Sequence, residues 1–471
     1  MTVTTHADRS EPGEVAEADV LRRRPGRWID RWTPEDPAFW ESTGRRVAGR
    51  NLAFSILAEN LGFSVWLLWS VVAVSLPAAG FDFSVDQLFW LVALPNLVGA
   101  FMRFPYTFAV PRFGGRNWTM VSAFLLLLPT GLLVACVSRP DTPYWMFLVA
   151  AVTAGVGGGN FASSMANISF FYPEGRKGFA LGLNAAGGNI GVSIVQLAVP
   201  AVIAIGAGIH LAYAGLMWMP LIAVAVIGAW LFMDNLSTAR SSFRDQVVVT
   251  RRRHTWVMSF LYLGTFGSFI GYSAAFPLLI STQFPAIEVA RYAFLGALVG
   301  SVARPFGGWL SDRLGGSRVT FWNFAVMGLG VLAVSWALRT DSFAAFLGAF
   351  LLLFVTTGIG NGSTFRMIPA IFRAQALEGV PSGSSVDREL ALTRSRRESA
   401  AVLGFTSAIG AIGGFFIPRA FGFSIAQTGE VTAALTAFLA FYVLSLGVTW
   451  WCYLRTRVLA TRVPGLASAR V

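Results

Sequence analysis

The chain has 471 residues, of which 55% are hydrophobic and only 13% charged, against about 25% charged in an average soluble domain. Its mean hydropathy is +0.61 and its net charge +12, with the arginines placed mainly between long apolar runs. A cytosolic enzyme, a secreted disulfide scaffold and a nucleic-acid-binding domain are excluded, and a polytopic membrane protein remains.

Residues 1–52 form a polar tail rich in Arg and Glu, without the apolar core of a signal peptide. From Ala53 onward, runs long enough to cross ~30 Å of hydrocarbon cover 53–76, 87–110, 118–138, 143–171, 178–204, 210–233, 256–280, 288–310, 318–338, 342–369, 399–423 and 430–454. Backbone groups find no water in lipid, so all twelve are read as helices. The expected organisation is a tail (1–52), a six-helix half (53–233), a linker (234–255), a second six-helix half (256–454) and a C-terminal tail (455–471).

Arginine orients these spans. Arg45, Arg46 and Arg50 precede the first, and Arg112, Arg116, Arg176 and Lys177 occupy alternate loops. Arg240, Arg244 and Arg251–Arg253 lie in the linker, and Arg313, Arg318, Arg388, Arg394, Arg396, Arg397, Arg455 and Arg457 continue the series. The intervening loops carry Asp82, Asp86, Asp141, Asp341 and Glu430 with few cations. Both termini and the linker are therefore expected in the cytoplasm. Cys136 and Cys452 then fall at opposite faces and cannot bridge. His6, His210 and His254 are scattered, so no metal site is expected.

The halves repeat each other. R-F-P-Y-T-F-A-V-P-R-F-G-G-R from Arg103 to Arg116 matches R-P-F-G-G-W-L-S-D-R-L-G-G-S-R from Arg304 to Arg318 in the placing of both arginines and the Gly-Gly pair. T-A-G-V-G-G-G-N-F from Thr153 matches T-T-G-I-G-N-G-S-T from Thr356 at a similar offset of about two hundred residues. Parallel six-span repeats around a cleft are the layout of major-facilitator transporters. The second copy resembles that superfamily's loop motif, in which Asp312 and Arg313 would latch helix ends together; the first has Pro111 in place of the Asp.

Arg103 lies ten residues before Phe113, placed at the membrane boundary. That is about 15 Å, half the hydrocarbon thickness, and Arg304 is its equivalent. A cation at that depth costs at least ~2.5–3.5 kcal/mol. Glu59 is the one Asp or Glu well inside a predicted span, so the missing negative charge is read as a substrate; the alternative is that each arginine bonds backbone carbonyls or snorkels to the cytoplasm. A planar guanidinium fork suits a planar oxyanion better than an ammonium would.

Gly157, Gly158 and Gly159 sit in an apolar run without the Gly-Lys-Ser/Thr of a phosphate loop. Taken alone they indicate close helix packing. The whole stretch from Gly157-Gly158-Gly159-Asn160-Phe161 to Tyr172-Pro173 resembles the signature of the nitrate/nitrite porter (NarK-type) family of the major facilitator superfamily. Gly358-Ile359-Gly360-Asn361-Gly362-Ser363-Thr364-Phe365 is similar to its second signature. Asp36–Trp40, Gly182-Leu183-Asn184 and Asn189–Ser193 extend the resemblance over nearly the whole chain.

The resemblance implies an all-α fold of twelve transmembrane helices in two pseudo-symmetric halves. It implies that Arg103 and Arg304 hold the anion and that Phe161 and Phe266 sandwich its flat face. Asn189 and Tyr262 would complete the polar contacts. Planes above and below leave only in-plane oxygens to bond, which favours nitrate and nitrite over tetrahedral anions. The expected protein is a monomeric, multi-pass transporter of the cell membrane, embedded in the lipid bilayer, with no enzymatic activity, no cofactor and no nucleic-acid partner. Family members are exchangers or proton-coupled symporters. Glu59 is the candidate proton carrier, which favours symport; exchange, a nitrate-binding sensor, and an Arg-paired structural role for Glu59 stay open.

Overall fold

The computed structural model describes residues 23–206, 208–239, 249–378, 380 and 384–455. The first part of the predicted tail (1–22), the linker stretch holding Arg240 and Arg244, and 456–471 with Arg457 lie outside the described residues, as does the side chain of Arg397.

Twelve helices follow in chain order among the described residues: α1 (Pro37–Ser75), α2 (Val85–Phe113), α3 (Gly115–Val137), α4 (Tyr144–Phe171), α5 (Glu174–Ile203), α6 (Ala212–Phe232), α7 (Arg253–Gln283), α8 (Ala293–Leu314), α9 (Gly316–Arg339), α10 (Phe343–Glu378), α11 (Ser385–Thr428) and α12 (Thr432–Leu454). Eleven are long and apolar enough to cross a membrane. The exception is α8, made more polar by Arg304, Asp312 and Arg313. Its 22 residues still measure about 33 Å, a full crossing.

Three helices extend well beyond the predicted spans. α1 starts at Pro37 because the Asp36 carboxylate accepts from Ala38 N at 2.9 Å and proline suits a first helical position. Its first turns are amphipathic: Arg45 and Arg46 are exposed, while Trp40, Val47 and Ala48 are buried. α10 likewise runs on to Glu378 and α11 begins early, at Ser385. Hydropathy marks the hydrocarbon thickness, whereas helical hydrogen bonding continues into the interface.

The helix pairs follow one rule twice. In the first half α1 packs on α5, α2 on α4 and α3 on α6; in the second α7 packs on α11, α8 on α10 and α9 on α12. The halves meet where α2 crosses α11 and α5 crosses α8, two contacts exchanged by a twofold axis, and where α1 meets α7. Two loop glycines carry the same repeat into the backbone: Gly114 has φ +87° and Gly315 φ +90°, a region open mainly to glycine. A Cβ at Gly114 would also lie 2.3 Å from Asn235 Oδ1. Bulky apolar side chains, including Phe179, Trp322 and Trp336, face outward around the bundle, as a hydrocarbon solvent demands.

We call the end with the Gly114 and Gly315 loops the tail face and the opposite end the far face. On the tail face, β1 (Arg23–Arg24) pairs antiparallel with β2 (Trp28–Ile29), which pairs in parallel with β3 (Asn235–Leu236) beyond α6. The N-terminal segment is thereby folded against the first half.

Candidate functional site

Arg103 and Arg304 project from α2 and α8 about 15 Å from those helices' tail-face ends, and both are buried. Arg103 Nε donates to Gly158 O at 3.2 Å and Nη1 to Ser407 O at 2.8 Å, while Nη2 has no partner. Its Cζ lies 4.7, 4.9 and 5.4 Å from the ring centroids of Phe161, Phe266 and Trp66. Arg304 Nη1 is also unpartnered, and its Cζ sits 5.8 Å from Phe161 and 5.5 Å from Phe365. No carboxylate among the described residues forms an ion pair with either guanidinium. Cation–π attraction disperses part of the charge; free N–H donors remain on both.

The Phe161 and Phe266 rings stack with centroids 6.2 Å apart and 28° between planes. A flat anion held between two faces needs about 7 Å, two van der Waals contacts of ~3.5 Å. The rings must therefore part to admit a flat anion between them. Phe266 belongs to a π-helical turn, Leu263–Gly267, inserted in α7, a feature frequent at functional sites. The next residue along, Gly267, crosses α11 so closely that a Cβ there would lie 2.7 Å from Gly410 O. Tyr262 stacks on Phe266 at 5.3 Å. Its hydroxyl faces Arg304 without reaching full hydrogen-bond geometry.

Buried neutral amides sit on α4, α5 and α10. Asn189 on α5 is buried with Oδ1 unpartnered, and Asn361 on α10 has neither amide atom paired. Asn160 donates to Ala58 O at 3.3 Å, its own oxygen unpartnered. Buried polar atoms are ordinarily paired. Two buried guanidiniums with free donors, together with these amides, fit a ligand that is anionic, small and rich in oxygen.

The signature glycines act through contact. A Cβ at Gly157 would lie 2.2 Å from Gly62 O on α1, at Gly158 2.7 Å from Gly99 Cα on α2, and at Gly159 2.8 Å from the Tyr106 ring. In the second half, Gly358 would meet Gly300 O at 2.2 Å, Gly360 the Asn323 amide at 2.5 Å, and Gly362 Arg304 O at 2.2 Å. These crossings bring α4 against α1 and α2, and α10 against α8, which sets the reach of Phe161 and both arginines.

Glu59 is buried on α1. Its Oε2 accepts from Asn184 Nδ2 at 2.6 Å, and the same nitrogen approaches Ser164 Oγ at 2.6 Å. Oε1 has no partner and stands 2.3 Å from where a Gly188 Cβ would be. The carboxyl is thus held by neutral groups, and among the described residues no arginine pairs with it.

The expected latch residues separate. Asp312 is ion-paired with Arg366 of α10, while Arg313 lies over the Trp309 ring of its own helix at 4.1 Å. Elsewhere on the tail face, in the first half, buried Asp234 receives Arg23 at 2.8 Å, Arg27 at 3.0 Å and Arg50 at 2.6 Å.

Sequence reasoning missed Trp66, Phe365, Ser407, Asn184 and Arg366 as neighbours of the site or latch. Asn184 and Phe365 lie within the matched motifs. Ser407 acts through its carbonyl, which no side-chain pattern reveals.

The sequence profile of the Major Facilitator Superfamily matches residues 60–383. The nitrate/nitrite transporter NarU of Escherichia coli (strain K12) is 46% identical over 444 residues, covering 90% of this chain and 96% of that protein. The probable nitrate/nitrite antiporter NarK2 of Thermus thermophilus is 36% identical, over 93% and 98%. The nitrite extrusion protein of Bacillus subtilis (strain 168) is 28% identical, over 86% and 95%. Among solved structures, a bacterial homolog of the human lysosomal transporter Spinster superposes with a TM-score of 0.57 at 15% identity, covering 85% of this chain and 96% of that one.

Proposed function

This chain belongs to the nitrate/nitrite porter (NarK-type) family of the major facilitator superfamily, and from that premise we propose that it carries nitrate and nitrite across the cell membrane by alternating access between its two halves. The observation that carries the reading is the pair of buried guanidiniums with free N–H donors, no ion-paired carboxylate among the described residues, and the Phe161 and Phe266 faces beside them. Arg103 and Arg304 supply forked donors to the anion's oxygens, the two rings cover its faces, and Asn189 and Tyr262 complete the polar shell. The six-helix sets 53–233 and 256–454 move as units joined by the linker. Excess arginine on the tail face supports a cytoplasmic location for both termini. The pathway lies between halves of one chain, so a monomer suffices.

Proton coupling through Glu59 is the preferred mode. With Glu59 ionised, the site carries two positive charges and one negative, net +1. Binding one nitrate and one proton leaves it at +1, so loaded and empty carriers cross the membrane with equal charge. A carboxyl that accepts from the Asn184 amide, with no cation paired to it among the described residues, takes up a proton without breaking an ion pair. Nitrate/nitrite exchange is the second reading, favoured by the 36% identity to a protein named a nitrate/nitrite antiporter.

Counterflow of labelled nitrate in proteoliposomes, with and without internal nitrite or a pH gradient, tests both. Failure of nitrate to exchange under any condition would remove the transport reading. Glu59→Gln mimics the protonated carboxyl permanently. It is expected to lose uptake driven by a pH gradient while keeping nitrate/nitrite exchange; unchanged gradient-driven uptake would leave exchange as the better reading.

A further inference from the structure

At the far face, α2 and α11, which belong to opposite halves, cross through a compact set of side chains. α2 begins with a reciprocal cap, Ser84 N donating to Gln87 Oε1 at 2.9 Å and Gln87 N to Ser84 Oγ at 3.3 Å. This fixes Asp86 in the first turn and Trp90 one turn later on the same side. Arg419 of α11 reaches across, donating from Nη1 to Asp86 Oδ1 at 2.8 Å, with Cζ 4.0 Å from the Trp90 ring centroid. One turn before it, Phe415 packs on Trp90 at 5.9 Å. Gly422 follows, where a Cβ would lie 2.6 Å from Phe89 Cβ.

Three features separate this cluster from an ordinary surface pair. Arg419 is 16% exposed and Asp86 34%, so the charges are only partly solvated. The other ion pairs described above each stay inside one half, whereas this one joins the halves. The twofold-related crossing of α5 with α8 carries no ion pair between those helices among the described residues. Arg419 is also a cation near the face where arginine is scarce, so orientation in the membrane does not account for it.

We propose that Asp86, Trp90 and Arg419 form the gate clasp that holds the far face shut, and that the clasp must part each time the cleft opens to that side. The proposal rests on the alternating-access reading. Around the clasp, the Trp69–Ser75 segment of α1 lies against α7, and α5 against Val289–Arg291, so the halves touch along the far face. A half-solvated pair on a tryptophan face is strong enough to bias a two-state equilibrium. It is also weak enough to break in each cycle, because both charged groups pass into water when the helices part.

The test is a cysteine reporter inside the cleft. Ser193 is buried on α5, one turn beyond Asn189 toward the far face. In a chain with Cys136 and Cys452 changed to Ser and Ser193 to Cys, a membrane-impermeant maleimide is applied from the far-face side of sealed vesicles of known sidedness. Asp86→Asn and Arg419→Ala are each expected to raise the labelling rate roughly two- to fivefold, Trp90→Leu less. The charge exchange Asp86→Arg with Arg419→Asp is expected to bring the rate back toward that of the parent. Unchanged labelling in a folded Asp86→Asn protein, or no recovery in the folded exchange variant, overturns the clasp. Asp86→Asn decides the matter even where Arg419→Ala does not fold. Nitrate counterflow measured on the same vesicles keeps the two readings apart: labelling needs no substrate, so intact counterflow with unmoved labelling sinks the clasp alone, and absent counterflow in the parent sinks the transport reading alone.

Discussion

Arg103 and Arg304 occupy equivalent positions in the two halves, yet the protein holds them in different ways. Arg103 donates to two backbone carbonyls, one of them Ser407 O in the other half, and faces three rings. Arg304 rests against Phe161 and Phe365 and faces the Tyr262 hydroxyl, with Nη1 free. The tail-face ties differ just as much. Asp234 gathers three arginines from the N-terminal segment and α1, while Asp312 takes one arginine from α10. Repetition has kept backbone crossings, loop glycines and the depth of the cations. The bonds that hold each copy in place have diverged. Positions proposed to meet one ligand would be constrained from both sides at once, whereas a lock needs only some partner of opposite charge.

The largest effect expected from this contrast is at the arginines themselves. Arg103→Lys and Arg304→Lys should each lower nitrate uptake in proteoliposomes by roughly a hundredfold or more, since an ammonium cannot replace the forked donor. They should part company in stability. A single ammonium cannot reach both Gly158 O and Ser407 O, so Arg103→Lys is expected to cost about 1–3 kcal/mol, seen as a lower melting temperature in detergent. Arg304→Lys should melt close to the parent. Equal melting of the two would mean that the backbone bonds of Arg103 carry little, and wild-type-like uptake by either would remove the anion-clamp argument.

The two locks offer the next test. Asp234 is fully buried, while its three arginines are each about a third exposed (34%, 29% and 31%). Asp234→Asn should therefore destabilise the protein by about 1–3 kcal/mol, below the full cost of opening a buried pair because solvent screens the cations. Asp312 and Arg366 are 53% and 58% exposed, so Asp312→Asn should cost under ~1 kcal/mol. Thermal melts of the two variants check the order; a reversal would show that the N-terminal segment is not held through Asp234.

How far these differences could be read beforehand depends on the distance over which each interaction acts. The spans, the two deep arginines and the paired Gly-Gly loops follow from hydropathy, helical rise and local repetition, and each survives in the fold. The Asp234 cluster joins residues about two hundred positions apart through three cations that look like ordinary orienting charges in sequence. Arg366 and Arg419 were equally invisible as partners, because the crossing that brings each to a carboxylate is set by tertiary packing. The π-turn at Leu263–Gly267 depends on the fit of Gly267 against α11. Asp36-Pro37 is a helix-start signal, whereas the apolar run begins only at Ala53 because the turns before it are amphipathic.

The smallest expected effect concerns the rings, and it asks whether the halves share the ligand equally. Phe161 is the ring near both cations, 4.7 Å from Arg103 Cζ and 5.8 Å from Arg304 Cζ, whereas Phe365 lies beside Arg304 at 5.5 Å. Removing Phe161 therefore takes away one face of the proposed sandwich and a cation–π contact from each arginine at once. Nitrate would still find its donors, but the slot that admits only a flat anion would be open on the α4 side. Competition of sulfate and small carboxylates against labelled nitrate should strengthen roughly three- to tenfold in Phe161→Ala, and by less in Phe365→Ala. Folding should suffer little by comparison with selectivity, because the glycine crossings around Phe161, not the ring, set the approach of α4 to its neighbours. Unchanged competition in Phe161→Ala would place that ring outside the site. Equal changes in the two variants would mean that flatness is read by the aromatic surroundings as a whole and not by the slot between Phe161 and Phe266.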